Sequence, residues 1–400
     1  MRRLIRTSVF ILYNCLLVVA VFGTAEFAVR SYQYSKLGPK SQQPETLRDR
    51  YAAFRNNPAF SSVYSRHNAQ GFRRDRDVSL AKPANTVRIF LLGGSVTYGG
   101  DTVYGEIETR PPLTNDETID HFLQEQLNAA LPSTNWEVVN GGVRGYLLHQ
   151  DLARLLSVVL RYKPDYVISI DGMNDVSALL RGPKDYDPWL LGEQETEFDH
   201  LANPRPLASV RLFAATWLRN NSVLFRAMQD WMGERLRRRR RQRAATTVEI
   251  REPVRHEDLS PANREQYRVS AAQIETYVHT VREMHQVLAV DGIGDMFVLQ
   301  PEIDVSRKRR TTDERRLDDF HQRVDGGLLV YGFQSLYPEL SGLLSADAKR
   351  NGYQFLNLSD VFDAFDGQAF TDYCHLTPEG NQIMAGRIFT ALQPMIANRM

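Results

Sequence analysis

The stretch that most constrains the fold of this chain is residues 87–100, which read VRIFLLGGSVTYGG. Its first part, Val87–Leu92, is an apolar run of strand length that is rich in β-branched and large side chains. Gly93 and Gly94 follow at once, and they let the backbone turn sharply and leave space beside the main chain. Ser95 comes next, at the carboxyl end of the strand, where open α/β sheets bind their ligands. Glycine-rich turns after strands are common, so this stretch gains its meaning from three later segments.

Strands and helices alternate along most of the chain after residue 86. Between the apolar runs, hydrophobic residues recur at helical spacing, for example at Leu123, Leu127 and Leu131 before Pro132. Repeated β-α-β units predict an α/β fold with a parallel sheet and helices on both faces. The five predicted strands are Val87–Leu92, Trp136–Val139, Tyr166–Ile170, Met296–Leu299 and Gln354–Leu358.

A basic and then apolar segment opens the chain. Arg2, Arg3 and Arg6 precede a mostly apolar run over Val9–Ala25, which is typical of a signal anchor or a signal peptide. The run is long for a signal peptide, so we favour an uncleaved anchor in residues 1–30; cleavage after Ala25 would give a secreted form. The positive-inside rule places the arginines in the cytoplasm and the following chain outside it. We therefore expect a single-pass protein of a bacterial inner membrane with its main domain in the periplasm.

The remaining chain divides into a lead-in, a main domain and an insertion. Residues 31–85 are polar without a sustained period and are interpreted as a stalk, and residues 86–400 as the main domain. The alternation breaks between Val176 and about Pro261, a segment interpreted as a helical insertion. Its apolar stripe, residues 210–231 with a break at 220–221, favours core packing over a membrane face. The arginine run that follows would meet anionic lipid, an anionic glycan or solvent outside the cytoplasm.

The composition narrows the classes of function. A net charge of +1 argues against attraction of the whole surface to nucleic acid, so no nucleic-acid partner is expected. The two cysteines, Cys15 in the apolar segment and Cys374 near the other end, are not expected to pair. The histidines other than His375 show no metal-ligand spacing, so we expect no metal and no other cofactor.

One set of residues supports a chemical mechanism. Ser95, Gly145 and Asn174 each follow the end of a predicted strand, and Asp372 and His375 share the loop after the fifth strand. Because parallel strands end at the same edge of a sheet, these residues should converge there. His375 could take the proton of Ser95 while Asp372 holds the imidazole, as acyl transfer requires. The backbone N–H groups of Ser95 and Gly145 and the side-chain amide of Asn174 could hold an oxyanion.

Four segments resemble the signature blocks of the SGNH (GDSL-like) hydrolases, in the same order along the chain: residues 94–97 (GSVT), 140–145 (NGGVRG), 172–175 (GMND) and 372–375 (DYCH). The resemblance covers roughly residues 87–175 and 296–395. It implies a three-layer, flavodoxin-like fold and a serine hydrolase mechanism. Ser95 would be the nucleophile, Gly145 and Asn174 oxyanion donors, and Asp372 and His375 the rest of the triad. The aspartate and leucine of the name-giving motif are replaced here by glycine and valine, neither of which bears the reaction.

Location and resemblance together lead to an expectation about the substrate. We expect a serine esterase that acts on acyl esters, O-acetyl esters above all, of a cell-surface or exported polysaccharide. Two alternatives stay open: an O-acyltransferase that uses the same triad with acyl groups delivered by a membrane partner, and a non-catalytic glycan-binding or assembly protein on an SGNH scaffold. A polysaccharide-assembly partner is compatible with these interpretations. Arg144 and Tyr146 bracket Gly145 and are expected at the mouth of the cleft, where substrate contact and simple exposure are equally compatible. Cys374 is not expected to act as a nucleophile while Ser95 is present.

Overall fold

Five parallel strands form the centre of the structure, a computed structural model that describes residues 2–38, 43–100, 112–182, 206–229, 231–232, 235, 254–321 and 324–398. The described strands are β1 (Thr46–Asp49), β2 (Ala53–Asn56), β3 (Thr86–Gly93), β4 (Asn135–Asn140), β5 (Tyr166–Asp171), β6 (Gly294–Leu299) and β7 (Gln354–Asn357). The sheet has the order β4-β3-β5-β6-β7, with every neighbouring pair parallel. This is the order of doubly wound sheets of the flavodoxin type. All five predicted strands are confirmed, because each observed strand begins and ends close to the predicted bounds.

Helices cover both faces of this sheet. The described α-helices are α1 (Arg2–Leu37), α2 (Ser95–Tyr98), α3 (Ile119–Ala130), α4 (Leu148–Arg154), α5 (Met173–Arg181), α6 (Pro206–Asn221), α7 (223–229), α8 (Pro261–Ala272), α9 (Ile274–Val290), α10 (Thr312–His321), α11 (Leu328–Asn351) and α12 (Pro378–Ala397). α3 packs on α12, while α4, α5, α9 and α11 form a second group. The central strand β5 is buried at every position, which requires a layer on each side of it. The two helix groups supply these layers.

The apolar runs that predicted the strands form the core. Four successive side chains of β3 are fully buried, because both faces of this central strand are covered: Ile89, Phe90, Leu91 and Leu92. α3 contributes Leu123 and Leu127 on one side, and α11 contributes Phe333 and Leu336. This packing holds the strands in register, so that the loops after β3, β4, β5 and β7 leave the sheet at one edge.

Residues 43–85 lie against the α/β core, where the sequence predicted a stalk. β1 and β2 pair as an antiparallel hairpin, and the ring of Phe54 packs edge-on against Tyr146 with 5.2 Å between centroids. Phe72 is fully buried in the main core. The buried Arg73 donates hydrogen bonds to the carbonyl oxygens of Tyr98 (2.8 Å) and Leu113 (2.6 Å). The polar side chains of this segment thus bind loops of the core, and the segment is part of the folded domain rather than a stalk.

α1 is a continuous helix of 36 residues that precedes the domain. Its segment Leu12–Lys36 has a mean hydropathy of 1.8 over its most apolar part, and none of that part is buried in protein. By length and composition the helix fits a membrane anchor or a signal sequence, as the sequence predicted.

The segment interpreted as an insertion is described in part. α5 extends to Arg181, so the alternation is interrupted after this residue rather than at Val176, and it resumes at Pro261 with α8. α6 and α7 lie inside the segment and are separated at residue 222, next to the predicted break. Most side chains of the apolar stripe are exposed, Phe213 and Trp217 among them. The expected core packing of the stripe is therefore not seen among the described residues. The arginine run at 237–243 lies outside the described residues.

Candidate active site

Ser95 is positioned by the turn between β3 and α2. Gly93 has a φ of +142°, and a Cβ on it would overlap the carbonyl oxygen of Ile170 on the neighbouring strand, so only glycine fits there. A Cβ on Gly94 would lie 2.5 Å from Nδ2 of Asn174. The two glycines therefore let the strand end sharply and let the Asn174 amide approach the backbone. Ser95 follows as the first residue of α2, half-buried at the carboxyl edge of the sheet.

Asp372 and His375 form a buried hydrogen-bonded pair in the loop after β7. Nδ1 of His375 lies 2.6 Å from Oδ2 of Asp372. Oδ1 of the same carboxylate accepts the backbone N–H groups of Cys374 (2.9 Å) and His375 (2.8 Å). Burial alone would raise the pKa of Asp372, but the charge and hydrogen bond of His375 and the two N–H groups hold it below its ordinary value. The carboxylate therefore stays ionised and fixes the orientation of the imidazole ring.

Ser95 and His375 meet beside Gly100. A Cβ on Gly100 would lie 3.0 Å from Cβ of Ser95 and 3.1 Å from Nε2 of His375, so these two atoms are no more than 6.1 Å apart, the sum of those distances. Nε2 is buried and has no hydrogen-bond partner among the described residues. The imidazole thus presents an available nitrogen toward the serine, and a nucleophile–base hydrogen bond of this kind commonly tightens only when substrate binds.

The expected oxyanion donors sit at the loops after β4 and β5. Nδ2 of Asn174 donates a hydrogen bond to the carbonyl oxygen of Tyr146 at 2.9 Å, which uses one of its two hydrogens and links the two loops. The second hydrogen is available beside Gly94 and therefore beside Ser95. Gly145 is exposed and has a φ of +77°, a conformation that glycine adopts easily. The structure thus brings Asn174 against the turn that carries Ser95. Gly145 is linked to this turn because Asn174 binds the carbonyl oxygen of its neighbour Tyr146.

Arg144 and Tyr146 face different surroundings. The Tyr146 ring is fully buried, its hydroxyl donates to the carbonyl oxygen of Phe54, and burial raises its pKa. This differs from the expectation that it faces the mouth of the cleft, and the cause is the packing of residues 43–85 over this loop. Arg144 is half-buried: its Nε lies 3.4 Å from Oε1 of Glu45, and its guanidinium lies 5.2 Å from the centre of the Tyr98 ring. Arg144 therefore binds the same segment.

Three buried aspartates lie behind these loops. Asp171 accepts the backbone N–H of Gly94, and Oδ1 of Asp175 accepts the N–H of Leu148 at 3.0 Å. The carboxyl of Asp151 donates a hydrogen bond to the carboxylate of Asp171. Burial raises the pKa of all three carboxyls, and the charge of Asp171 adds to the shift of the other two. Asp175, whose pKa rises to about 8, thus retains its proton at neutral pH. The hydrogen bonds of Asp171 and Asp175 connect the segments that follow β3, β4 and β5.

A buried ion pair that the sequence analysis did not identify supports the loop that carries Asp372 and His375. Nζ of Lys308 lies 2.7 Å from Oε2 of Glu314, and both side chains are fully buried. Oε1 of Glu314 accepts the backbone N–H groups of Ala369 (2.9 Å) and Phe370 (3.2 Å), just before residues 372–375. The two residues lie in a polar, charged stretch whose composition is typical of a solvent-exposed segment, so no local signal could have identified them.

The three residues Asp372, Cys374 and His375 also have ligand atoms within 4.8 Å of one another, close enough to hold a metal ion. However, Nδ1 of His375 and Oδ2 of Asp372 already share a hydrogen bond. Burial raises the pKa of the Cys374 thiol well above its usual value, whereas metal binding and nucleophilic attack both need the thiolate. The donor set therefore fits an acid–base pair better than a metal site.

Comparisons with known proteins found only low similarity. No protein-family model matches the sequence, and no curated protein is significantly similar to it. Among solved structures, the chain is similar to LAE5, an alpha/beta hydrolase enzyme from the metagenome of Lake Arreo in Spain, with 17% identity, 76% of this chain and 94% of that chain covered, and a TM-score of 0.36. It is similar to the acetyl xylan esterase AlAXEase with 13% identity, coverage of 76% and 100%, and a TM-score of 0.38. It is similar to the acetylxylan esterase Axe2 from Geobacillus stearothermophilus with 14% identity, coverage of 76% and 94%, and a TM-score of 0.38. The function must therefore be inferred from the geometry of the site.

Proposed function

We propose that this chain is a serine esterase of the SGNH type, with Ser95, His375 and Asp372 as its catalytic triad. One observation carries the proposal. The imidazole of His375 is held at Nδ1 by a buried carboxylate, while its Nε2 has no other partner among the described residues and lies beside Ser95. An imidazole held in this way, next to a serine at the edge of a parallel sheet, is what activation of a serine nucleophile requires.

The residues act in sequence during ester cleavage. Nε2 of His375 takes the proton of Ser95 as Oγ attacks the acyl carbon, and a tetrahedral intermediate forms. Asp372 stabilises the imidazolium, a role that fits its lowered pKa. The imidazolium then gives its proton to the oxygen of the leaving alcohol, and the acyl group stays on Ser95. In the second half of the reaction, His375 takes a proton from water, and the water oxygen attacks the acyl carbon. The imidazolium then returns its proton to Oγ of Ser95, which releases the acid and the free serine.

The oxyanion of the intermediate would be held by three N–H donors. They are the backbone N–H groups of Ser95 and Gly145 and the second amide hydrogen of Asn174. Asn174 is fixed by its bond to Tyr146, so its amide is oriented before substrate arrives. Preorganised donors of this kind contribute about 10²–10³-fold each to the rate.

The substrate class is proposed to be acetyl esters on a cell-surface or exported polysaccharide. A Cβ on Gly100 would touch both Ser95 and His375, so glycine leaves room beside the serine for the acyl group of a substrate. The arginines in the first turns of α1 favour a cytoplasmic amino terminus and a domain outside the cytoplasm of a bacterial cell. Acylated glycans are the ester substrates expected in that location.

The test measures ester hydrolysis by the full chain in detergent micelles. Turnover of p-nitrophenyl acetate, butyrate and octanoate is compared between the wild type and Ser95→Ala, with Ser79→Ala as a control because Ser79 is exposed and outside the site. We expect a loss of about 10³-fold or more in Ser95→Ala alone, with acetate as the best substrate. Equal turnover in wild type and Ser95→Ala would contradict the proposal. Adding an acceptor sugar distinguishes release of acetate from transfer to the sugar.

A further inference from the structure

Among the described residues, α6 and α7 contact α1 at a junction formed by Glu26 and Arg30. Glu26 of α1 accepts hydrogen bonds from the Ser222 hydroxyl (2.7 Å) and from the N–H groups of Val223 and Leu224 (2.9 Å each), at the start of α7. Val223 is fully buried at this contact. A carboxylate at a helix N-terminus satisfies N–H groups that have no partner within the helix.

Arg30 completes the junction from the other side. Its Nη2 donates to the carbonyl oxygen of Asn221 at 2.7 Å, where α6 ends, and its Nε lies 2.6 Å from Glu26. One ion pair on α1 thus caps the end of α6 and the start of α7. The two helices are therefore placed by α1 as well as by their connection to the α/β domain.

The length of α1 locates this junction relative to a bilayer. At 1.5 Å per residue, the 36 residues of α1 extend about 54 Å, more than the ~30 Å of a hydrocarbon core. Glu26 lies 17 residues beyond Val9, or about 26 Å along the helix. Charged pairs in anchors belong at the boundary of the hydrocarbon rather than at its centre. If α1 spans the bilayer from Val9, the junction lies at the outer boundary.

An apolar surface extends from this junction. Val210, Phe213 and Trp217, at intervals of three and four residues, lie on one face of α6, and Phe213 and Trp217 are 73% and 55% exposed. Beyond α7, Trp231 is 57% exposed, with the guanidinium of Arg235 5.0 Å from its ring centre. A helix of 16 residues with no buried side chain among its described positions is marginal in water on its own, so this face needs a cover.

The charge of the segment indicates what covers it. Residues 206–243 contain ten arginines and two acidic residues, Asp230 and Glu234. Aromatic and aliphatic side chains combined with arginines are typical of helices that lie in a membrane interface, where arginine meets lipid phosphate. Two copies of so basic a surface would repel each other, which disfavours a self-association surface.

We propose that the described residues between Pro206 and Arg235 form a second membrane contact. It lies in the headgroup layer of the leaflet from which α1 emerges, and this leaflet contains anionic phospholipid. Phe213, Trp217 and Trp231 enter the boundary between headgroups and acyl chains, and the arginines bind lipid phosphates. This segment would therefore bind lipid. The proposed contact requires that α1 spans the bilayer, but it does not require esterase activity. Because α6 follows the strand–helix unit that carries Asn174, the contact would hold this side of the domain near the membrane.

The distribution of tryptophans provides the test. The chain has four, and none lies in α1: Trp136, Trp189, Trp217 and Trp231. Trp136 is buried in the core of the domain and serves as the internal control. The full chain with Trp189→Phe is reconstituted in vesicles of phosphatidylcholine and phosphatidylglycerol with brominated acyl chains. The same protein with Trp217→Phe and Trp231→Phe added retains Trp136 alone.

We expect brominated chains to quench the emission of Trp217 and Trp231 by roughly twofold, and to leave the Trp136-only protein unquenched. Quenching should weaken when phosphatidylglycerol is left out. Glu26→Ala should reduce the quenching because the junction loosens, whereas Glu26→Gln, which keeps one acceptor oxygen, should reduce it less. Resistance of each protein to carbonate extraction reports whether α1 is inserted, and a cooperative urea unfolding transition reports whether the domain is folded.

Two results would overturn the proposal for an inserted, folded protein. Quenching by aqueous iodide without quenching by brominated lipid would mean that the apolar face is in water. Protection from both quenchers, with cross-linking between copies, would mean that a second chain covers it. Failure of ester turnover with normal lipid quenching would contradict the esterase proposal alone, so the two proposals fail separately.

Discussion

Nδ1 of His375 lies 2.6 Å from Oδ2 of Asp372, three residues earlier in the same loop. The second oxygen of this carboxylate binds two backbone N–H groups of the loop. One side chain therefore fixes both the imidazole ring and the backbone that carries it, and the two roles can be separated by substitution.

Asp372→Asn keeps an oxygen for the backbone N–H groups but offers Nδ1 of His375 an amide in place of a carboxylate. We expect kcat to fall by about 10³–10⁴-fold because the imidazolium loses its counter-charge and the ring its correct tautomer. The melting temperature should change little. Asp372→Ala also removes the backbone acceptors and should lower both kcat and the melting temperature. An unchanged kcat in Asp372→Asn would show that the pair is only structural.

Asn174→Ala tests the oxyanion donor. Its amide lies against the nucleophile turn and is held by the Tyr146 carbonyl. Because the interaction strengthens only in the transition state, we expect kcat to fall by about 10²–10³-fold with a nearly constant KM. Steady-state kinetics with p-nitrophenyl acetate measure both, and Asn128→Ala, at an exposed position of α3, is the control. A rise in KM at constant kcat would assign Asn174 to substrate binding instead.

Asp175 should make the stability of the fold depend on pH. Burial, together with the charge of Asp171, raises the pKa of Asp175 to about 8 in the folded state, whereas an aspartate in the unfolded chain titrates near about 3.9. Between these values the folded state binds more protons, so stability is greatest at low pH and is lost as the pH rises toward 8. Asp175→Asn should flatten this slope, by at most about 1.4 kcal/mol per pH unit.

Urea unfolding at several pH values across that range measures the slope. Asp116→Asn is the matched control, because Asp116 is exposed. Equal slopes in wild type and Asp175→Asn would mean that Asp175 is ionised throughout and that the cluster does not retain its proton.

The Lys308–Glu314 pair should stabilise the fold only as a pair. Glu314→Gln leaves the buried Lys308 charge uncompensated and is expected to destabilise the protein by about 3–5 kcal/mol. Adding Lys308→Met should recover part of this loss, because no charge then remains buried. Chemical denaturation of the three variants gives the comparison. A double variant as unstable as Glu314→Gln alone would indicate that the hydrogen bonds to Ala369 and Phe370 dominate.

The strands and turns that depend on residues close together in the sequence could be predicted from it. Apolar runs such as Val87–Leu92 had to be strands of a covered sheet, and the glycines before Ser95 marked the turn that positions it. The proximity of Ser95, Asn174 and His375 followed from the single edge at which parallel strands end. The burial of Tyr146 could not be predicted, because it depends on a distant polar segment folding back over the domain. The burial of Lys308 and Glu314 likewise depends on a contact with residues 369–370.

The exposed apolar face of α6 shows a second limit of sequence-based prediction. Val210, Phe213 and Trp217 have the spacing of a core-facing helix, and periodicity reports only that a helix has an apolar face. Whether that face is buried depends on where the helix lies in the molecule. Here the contacts of Asn221 and Ser222 with α1 hold α6 beside that helix, and the apolar face is exposed.

The most direct test of the central claim is labelling of the full chain with an alkyl fluorophosphonate, followed by mass spectrometry of the intact protein and of its peptides. The account predicts one label per chain, on Ser95, and a loss of labelling in Ser95→Ala and His375→Ala. A wild-type protein that hydrolyses esters but stays unlabelled at Ser95, or that is labelled equally without His375, would contradict the proposed triad.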